Sequence, residues 1–134
     1  MKPALVDTDT LSMFFRGDPC TVTRFQAYLD EYAEIKLSIV TYYEIVSGLR
    51  HRDAAKQLDA FLEFARRNAV LPITAHSANI SADLYARLRR EGQPLDDIDL
   101  LIAGVALANG LVLATHNTDH FGRIEELEIQ DWSR

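Results

Sequence analysis

Short apolar runs alternate with stretches of helical periodicity along this chain. Ala4-Leu5-Val6 is uniformly apolar and stops at Asp7, which predicts a buried strand ended by a charge. Thr8 to Phe15 reads as a helix broken by Gly17-Asp18-Pro19. Thr23 to Ala33 reads as a second helix, with Phe25, Leu29 and Tyr32 on one face. Ile35 to Ser38 predicts a strand, Thr41 to Arg50 a helix, and Asp53 to Asn68 a longer helix with Leu58, Phe61, Leu62 and Ala65 at helical spacing. Val70 to Ile73 predicts a strand and Ser77 to Glu91 a helix closed by Gly92. Asp96 to Asn109 is a nearly all-apolar helix closed by Gly110, and Leu111 to Ala114 is a strand apolar throughout. A last short strand is expected over 128–130, and the segment between, from Thr115 to Phe121, reads as a turn.

Strands alternating with helices predict an α/β fold: one domain over residues 1–134, a parallel central sheet with helices on both faces. Strands apolar on both faces agree with that choice. Ligands of such sheets bind beyond the carboxyl ends of the strands, at a topological switch point. Asp7 and the Thr115-His116-Asn117 segment each follow the carboxyl end of a predicted strand, so the two meet if those strands are neighbours.

The 134 residues are 48% hydrophobic, enough for a core, with no repeat or linker-like stretch. A net charge of −6 is not the basic signature of a protein that holds nucleic acid by phosphate contacts alone. The single cysteine, Cys20, excludes an intrachain disulfide and a Cys-based zinc site. An early carboxylate argues against a signal peptide, and no apolar run reaches the roughly 20 residues of a membrane span. No membrane association and a cytoplasmic location are therefore expected.

Three acids carry the candidate chemistry. Asp7 closes an apolar strand, where a carboxylate needs a cation or hydrogen-bond donors, although a helix N-cap would also explain it. Glu44 has Val40, Thr41, Ser47 and Gly48 as one-turn neighbours and no Lys or Arg to neutralise it, although a solvent-facing glutamate would look the same. Asp99 stands among core-facing residues in the first turn of an apolar helix, with capping-box spacing from Asp96 as the bland alternative. His116 and His120 share the i,i+4 spacing of a zinc pair but lack an intervening Glu. Converging buried carboxylates repel one another, and a divalent ion relieves this. An all-oxygen set suits Mg²⁺ or Mn²⁺, which can activate water against a phosphodiester. Metal ions would then supply the positive field that the net charge lacks. Arg16, Arg50, Arg52, Lys56 and the Arg87-Leu88-Arg89-Arg90 run are candidates for contacts to flanking phosphates.

At these residues the chain resembles the PIN-domain family. Leu5-Val6-Asp7-Thr8-Asp9-Thr10 is similar to the family's first motif, with Asp9 where Asn is usual. Thr41 to Leu49 resembles the second motif with Glu44, Pro94 to Ala103 the third with Asp99, and Ala114 to Phe121 the fourth, with Asn117 where some members carry Asp. The subfamily most resembled is that of the VapC toxins of type II toxin–antitoxin pairs. The resemblance implies a Mg²⁺- or Mn²⁺-dependent endoribonuclease acting on tRNA, rRNA or mRNA, restrained by a VapB-type antitoxin and forming a homodimer. Asp7, Asp99 and Glu44 would hold metal, with Asn117 in support and Asp119 or Asp96 as possible additions. A catalytically silent PIN fold that binds RNA or protein, and a metal-dependent DNA nuclease, are the alternatives.

Overall fold

A computed structural model describes all 134 residues. The chain runs β1 (Ala4–Val6), α1 (Thr8–Phe15), α2 (Pro19–Glu31), β2 (Lys36–Ser38), α3 (Ile39–His51), α4 (Ala55–Arg67) and β3 (Ala69–Leu71). It continues through α5 (Ala75–Arg90), α6 (Asp97–Ala108), β4 (Val112–Ala114), α7 (Thr118–Phe121) and β5 (Ile129–Gln130). The five strands form one parallel sheet in the order β3-β2-β1-β4-β5. The α/β expectation therefore holds. The chain's direction across the sheet reverses between β1 and β4, which are paired with Val6 opposite Ala114. That junction is the switch point at which such sheets bind ligands.

Alternation along the strands sends side chains to two cores. Leu5 and Leu113 join Leu84, Leu88, Leu100, Ile102 and Phe121 on the face covered by α5, α6 and α7. Ala4, Val6, Val112 and Ala114 join Leu11, Phe25, Tyr28, Phe61 and Trp132 on the opposite face, under α1 to α4. The period of two along a strand explains the partition. The two faces are closed differently. Aromatic rings fill the second core, where Phe14 stacks on Phe25 at 4.1 Å and Phe25 meets Trp132 edge-on at 5.4 Å. Small residues bring α5 and α6 together: the backbone of Gly104 runs so near Ser81 that a Cβ there would lie 2.0 Å from Ser81 Oγ.

Several boundaries differ from the sequence reading, three of them because of a side-chain cap. Helix α2 starts at Pro19 rather than Thr23, because Asp18 accepts from the Thr21 amide and proline suits the first helical position. Helix α3 starts at Ile39, with Ser38 accepting from Thr41 N, and α5 starts at Ala75 behind a Thr74–Ser77 capping box. Helix α4 starts at Ala55, since Asp53 adopts a left-handed conformation (φ 54°) where α3 ends. Strand β3 ends at Leu71, ahead of Pro72. The segment read as a turn contains the one-turn helix α7. No helix is long and apolar enough to cross a membrane.

Candidate active site

Asp7 sits at the centre of the switch point. Strand pairing places it there: Asp7 N donates to Ala114 O, so the residue begins where β1 leaves β4. Its side chain is 5% exposed and takes two hydrogen bonds. Thr8 N donates to Oδ1 at 2.8 Å, and Thr115 Oγ1 donates to Oδ2 at 2.8 Å. The cap and the site readings of this residue are therefore not exclusive: Asp7 caps α1 and also faces β4. Burial and the nearby Asp9 charge push its carboxyl from 3.8 up to about 7, Asp99 adds a smaller push, and the two hydrogen bonds oppose the rise.

Asp9, one residue into α1, reaches the same edge. His116 N donates to Asp9 Oδ2 at 3.1 Å, and the Thr115 hydroxyl lies 3.5 Å from Oδ1. Thr115 thus stands between two carboxylates, and its Oγ1 also accepts from Asn117 N at 3.0 Å.

Glu44 comes from α3 and joins the site through α1. Thr8 Oγ1 donates to Glu44 Oε1 at 2.6 Å, and the Thr8 and Thr41 hydroxyls lie 3.0 Å apart. Thr8 has one hydroxyl hydrogen, which takes the shorter contact, leaving Thr41 to donate to Thr8. Glu44 is half-buried and its Oε2 has no protein partner. The solvent-facing reading of Glu44 does not hold.

Asp99, in the first turn of α6, is not part of a capping box, because Asp96 makes no side-chain cap bond. Instead Asp99 Oδ2 lies 3.0 Å from His120 Nδ1 on α7. The same nitrogen lies 3.0 Å from Asn117 Nδ2. One ring nitrogen carries either a hydrogen or a lone pair, so it serves one of these partners at a time. His116 turns away, to Asp131 and Ser133 at the chain's end, so the two histidines form no pair. Asp96 and Asp119 are exposed, Asp96 makes no hydrogen bond to the site, and Asp119 lines a separate shallow depression with Gln93 and Arg123.

The fold therefore gathers Asp7, Asp9, Glu44, Asp99 and Asn117 at one sheet edge, held by Thr8, Thr115 and His120. Sequence reasoning passed over Thr8 and gave His120 and Thr115 no definite role. The available signal was a threonine directly after each of two apolar runs, Thr8 behind the strand-ending Asp7 and Thr115 behind Ala114. No three of the His, Cys, Asp and Glu side chains close into a ready-made metal cage. What the edge offers is an all-oxygen, partly open set around one desolvated carboxylate. That fits an ion which keeps several waters and takes only one or two carboxylates from the protein.

The PIN domain model matches residues 4–127. This chain belongs to the PIN domain family. Within the family its resemblance is to the VapC type. It is 34% identical over 134 residues to the tRNA(fMet)-specific endonuclease VapC of Salmonella typhimurium, covering 98% of this chain and 99% of that protein. To the tRNA(fMet)-specific endonuclease VapC of Shigella flexneri it is 31% identical, covering 99% of this chain and all of that one. Among solved structures, a chain of the DNA-bound VapBC complex from Salmonella typhimurium superposes with a TM-score of 0.86. It is 30% identical and the match covers 98% of this chain and 99% of the other.

Proposed function

We propose that this PIN-domain protein is a divalent-metal-dependent endoribonuclease and the toxin of a type II toxin–antitoxin pair. One observation carries the reading: Asp7, a carboxylate 5% exposed at the switch point with its pKa pushed up to about 7 beside Asp9 and Asp99. Such a group is stabilised as an anion chiefly by a cation placed against it. Full-length similarity to VapC endonucleases supplies the reaction, and tRNA(fMet) is the first substrate to test.

Asp7, Asp99 and Glu44 are the residues that would hold a Mg²⁺ or Mn²⁺ ion. When bound, the ion supplies positive charge for a phosphodiester and for the water that attacks it. The protein's own groups do the positioning. Thr8 and Thr115 orient the carboxylates of Glu44 and Asp7. Glu44 Oε1 is occupied by the Thr8 hydroxyl, while Oε2 has no protein partner and can accept a proton from the attacking water. His120 fixes Asp99 Oδ2, leaving Oδ1 for a ligand. Asn117 presents its amide at the same edge. By analogy with the Salmonella complex, a VapB-type protein restrains the activity, and the family resemblance adds a homodimer.

The test is cleavage of tRNA(fMet) by purified protein in Mg²⁺, with chelator and with Asp7→Asn. Cleavage that requires the ion and disappears in the variant is expected. Cleavage at an undiminished rate by Asp7→Asn, or in the chelator, refutes the assignment.

A further inference from the structure

A cavity of about 550 Å³ opens directly beside the acidic edge, between α1, α3 and α4. Thr8 and Glu44, which belong to the site, form one end of it. Phe15, Ile45, Leu49 and Phe61 make its walls apolar, while Arg16, Arg52 and Lys56 stand around its rim. These three cations are exposed, and none forms an ion pair with a carboxylate of the chain. In a protein of net charge −6, three unpaired cations around one apolar cavity are a local reversal of sign. Glu44 is the only carboxylate in the lining.

Gly48 supplies a second, independent observation. It lies inside α3, where glycine is less stable than alanine. No neighbour requires the missing side chain: a Cβ there would meet no atom within 4 Å. What the glycine leaves is open space on the cavity floor, one turn from Glu44.

We infer that this cavity is a nucleotide subsite, holding the base of one RNA nucleotide next to the bond that is cut. The inference rests on the ribonuclease reading and names how that site takes its substrate. The volume lies within the range of small-ligand pockets. The exposed Phe15 ring and the apolar walls offer a stacking surface for a base of single-stranded RNA. Arg16, Arg52 and Lys56 match the phosphates on either side, and the Gln57 amide, which has no partner in the fold, lies within the lining to meet a base edge. A nucleotide seated there places its phosphodiester at Glu44. This also answers the charge question: the phosphate-binding field is local to one groove.

The test is binding without catalysis. Isotope-labelled, metal-free protein is titrated with each nucleoside 5′-monophosphate, and with ribose 5-phosphate and inorganic phosphate as controls. Amide signals of Phe15, Gly48, Arg52 and Gln57 should shift and saturate with at least one nucleotide. Ribose 5-phosphate should bind about tenfold more weakly, as the loss of one stacked base predicts. Gly48→Leu, which fills the floor, should abolish the shifts while its melting temperature shows an intact fold. Lys56→Gln provides the second variant should leucine disrupt folding, and should weaken binding severalfold. Equal binding of ribose 5-phosphate, shifts elsewhere only, or unimpaired binding by the variants overturns the subsite. So does a cavity that ignores every nucleotide yet responds to a Leu- and Glu-rich amphipathic peptide. The two readings fail separately. Nucleotide binding by a protein that cleaves no RNA sinks the nuclease alone, whereas RNA cleavage with an unchanged KM in Lys56→Gln sinks the cavity alone.

Discussion

Replacing Asp7 by asparagine should stabilise the metal-free protein while destroying its activity. The folded protein holds this carboxyl at about 7, against 3.8 for an ordinary aspartate. Between those values the folded state keeps a proton that the unfolded chain has released, so stability falls as pH rises through the window. At about 1.4 kcal/mol for each pH unit, the ionised group costs the fold at most about 4 kcal/mol at pH 8 and about 2 kcal/mol at pH 5. Asparagine keeps an oxygen for Thr8 N, and its amide nitrogen can donate to Thr115 Oγ1 in place of the bond that Oδ2 accepts. The buried charge alone is removed. Urea unfolding of both proteins in chelator, at pH 5 and pH 8, reads the difference. We expect Asp7→Asn to be more stable by about 2–4 kcal/mol at pH 8, with a smaller gap at pH 5. Added Mg²⁺ should raise the stability of the parent protein and leave the variant unchanged. A variant less stable than the parent at pH 8 in chelator would refute the reasoning, because the carboxylate's bonds from Thr8 and Thr115 would then outweigh the cost of its buried charge.

Three further outcomes follow from other contacts. Thr8→Val should lower kcat for RNA by roughly 10–100-fold with the fold intact, through loss of the bond that orients Glu44, and Thr8→Ser should restore most of it; equal rates for all three proteins would remove Thr8 from the site. Gly48→Ala should raise stability by about 0.5–1 kcal/mol in urea unfolding, since its Cβ enters open space within a helix. Gly104→Ala should lower stability by about 1–3 kcal/mol, because its Cβ would lie 2.6 Å from the Ser77 carbonyl and 2.0 Å from the Ser81 hydroxyl that bonds Leu100 O, forcing α5 from α6; a neutral effect would show that this helix pair has slack.

The periodic pattern of apolar residues was enough to foresee every strand, six of the seven helices and the parallel arrangement. Those features depend on local spacing and on whether a strand is apolar on both faces, and both can be read along a chain. Asp7, Glu44 and Asp99 stood out because each is an acid in a place where an acid is costly or unneutralised. Their association could not be settled at that level. It depends on β4 inserting beside β1, which sets Thr115 against Asp7 across 108 positions of sequence. Residues such as Thr8, Thr115 and His120 have no unusual local context, and only hydrogen bonds between distant elements give them work. The one-turn α7 was missed because four residues carry no period. The cavity beside Glu44 is likewise a tertiary product. Helix α1 packs against the consecutive pair α3 and α4 to enclose it, and the sign of its charge comes from Arg16 meeting Arg52 and Lys56 across that junction while the chain as a whole remains acidic.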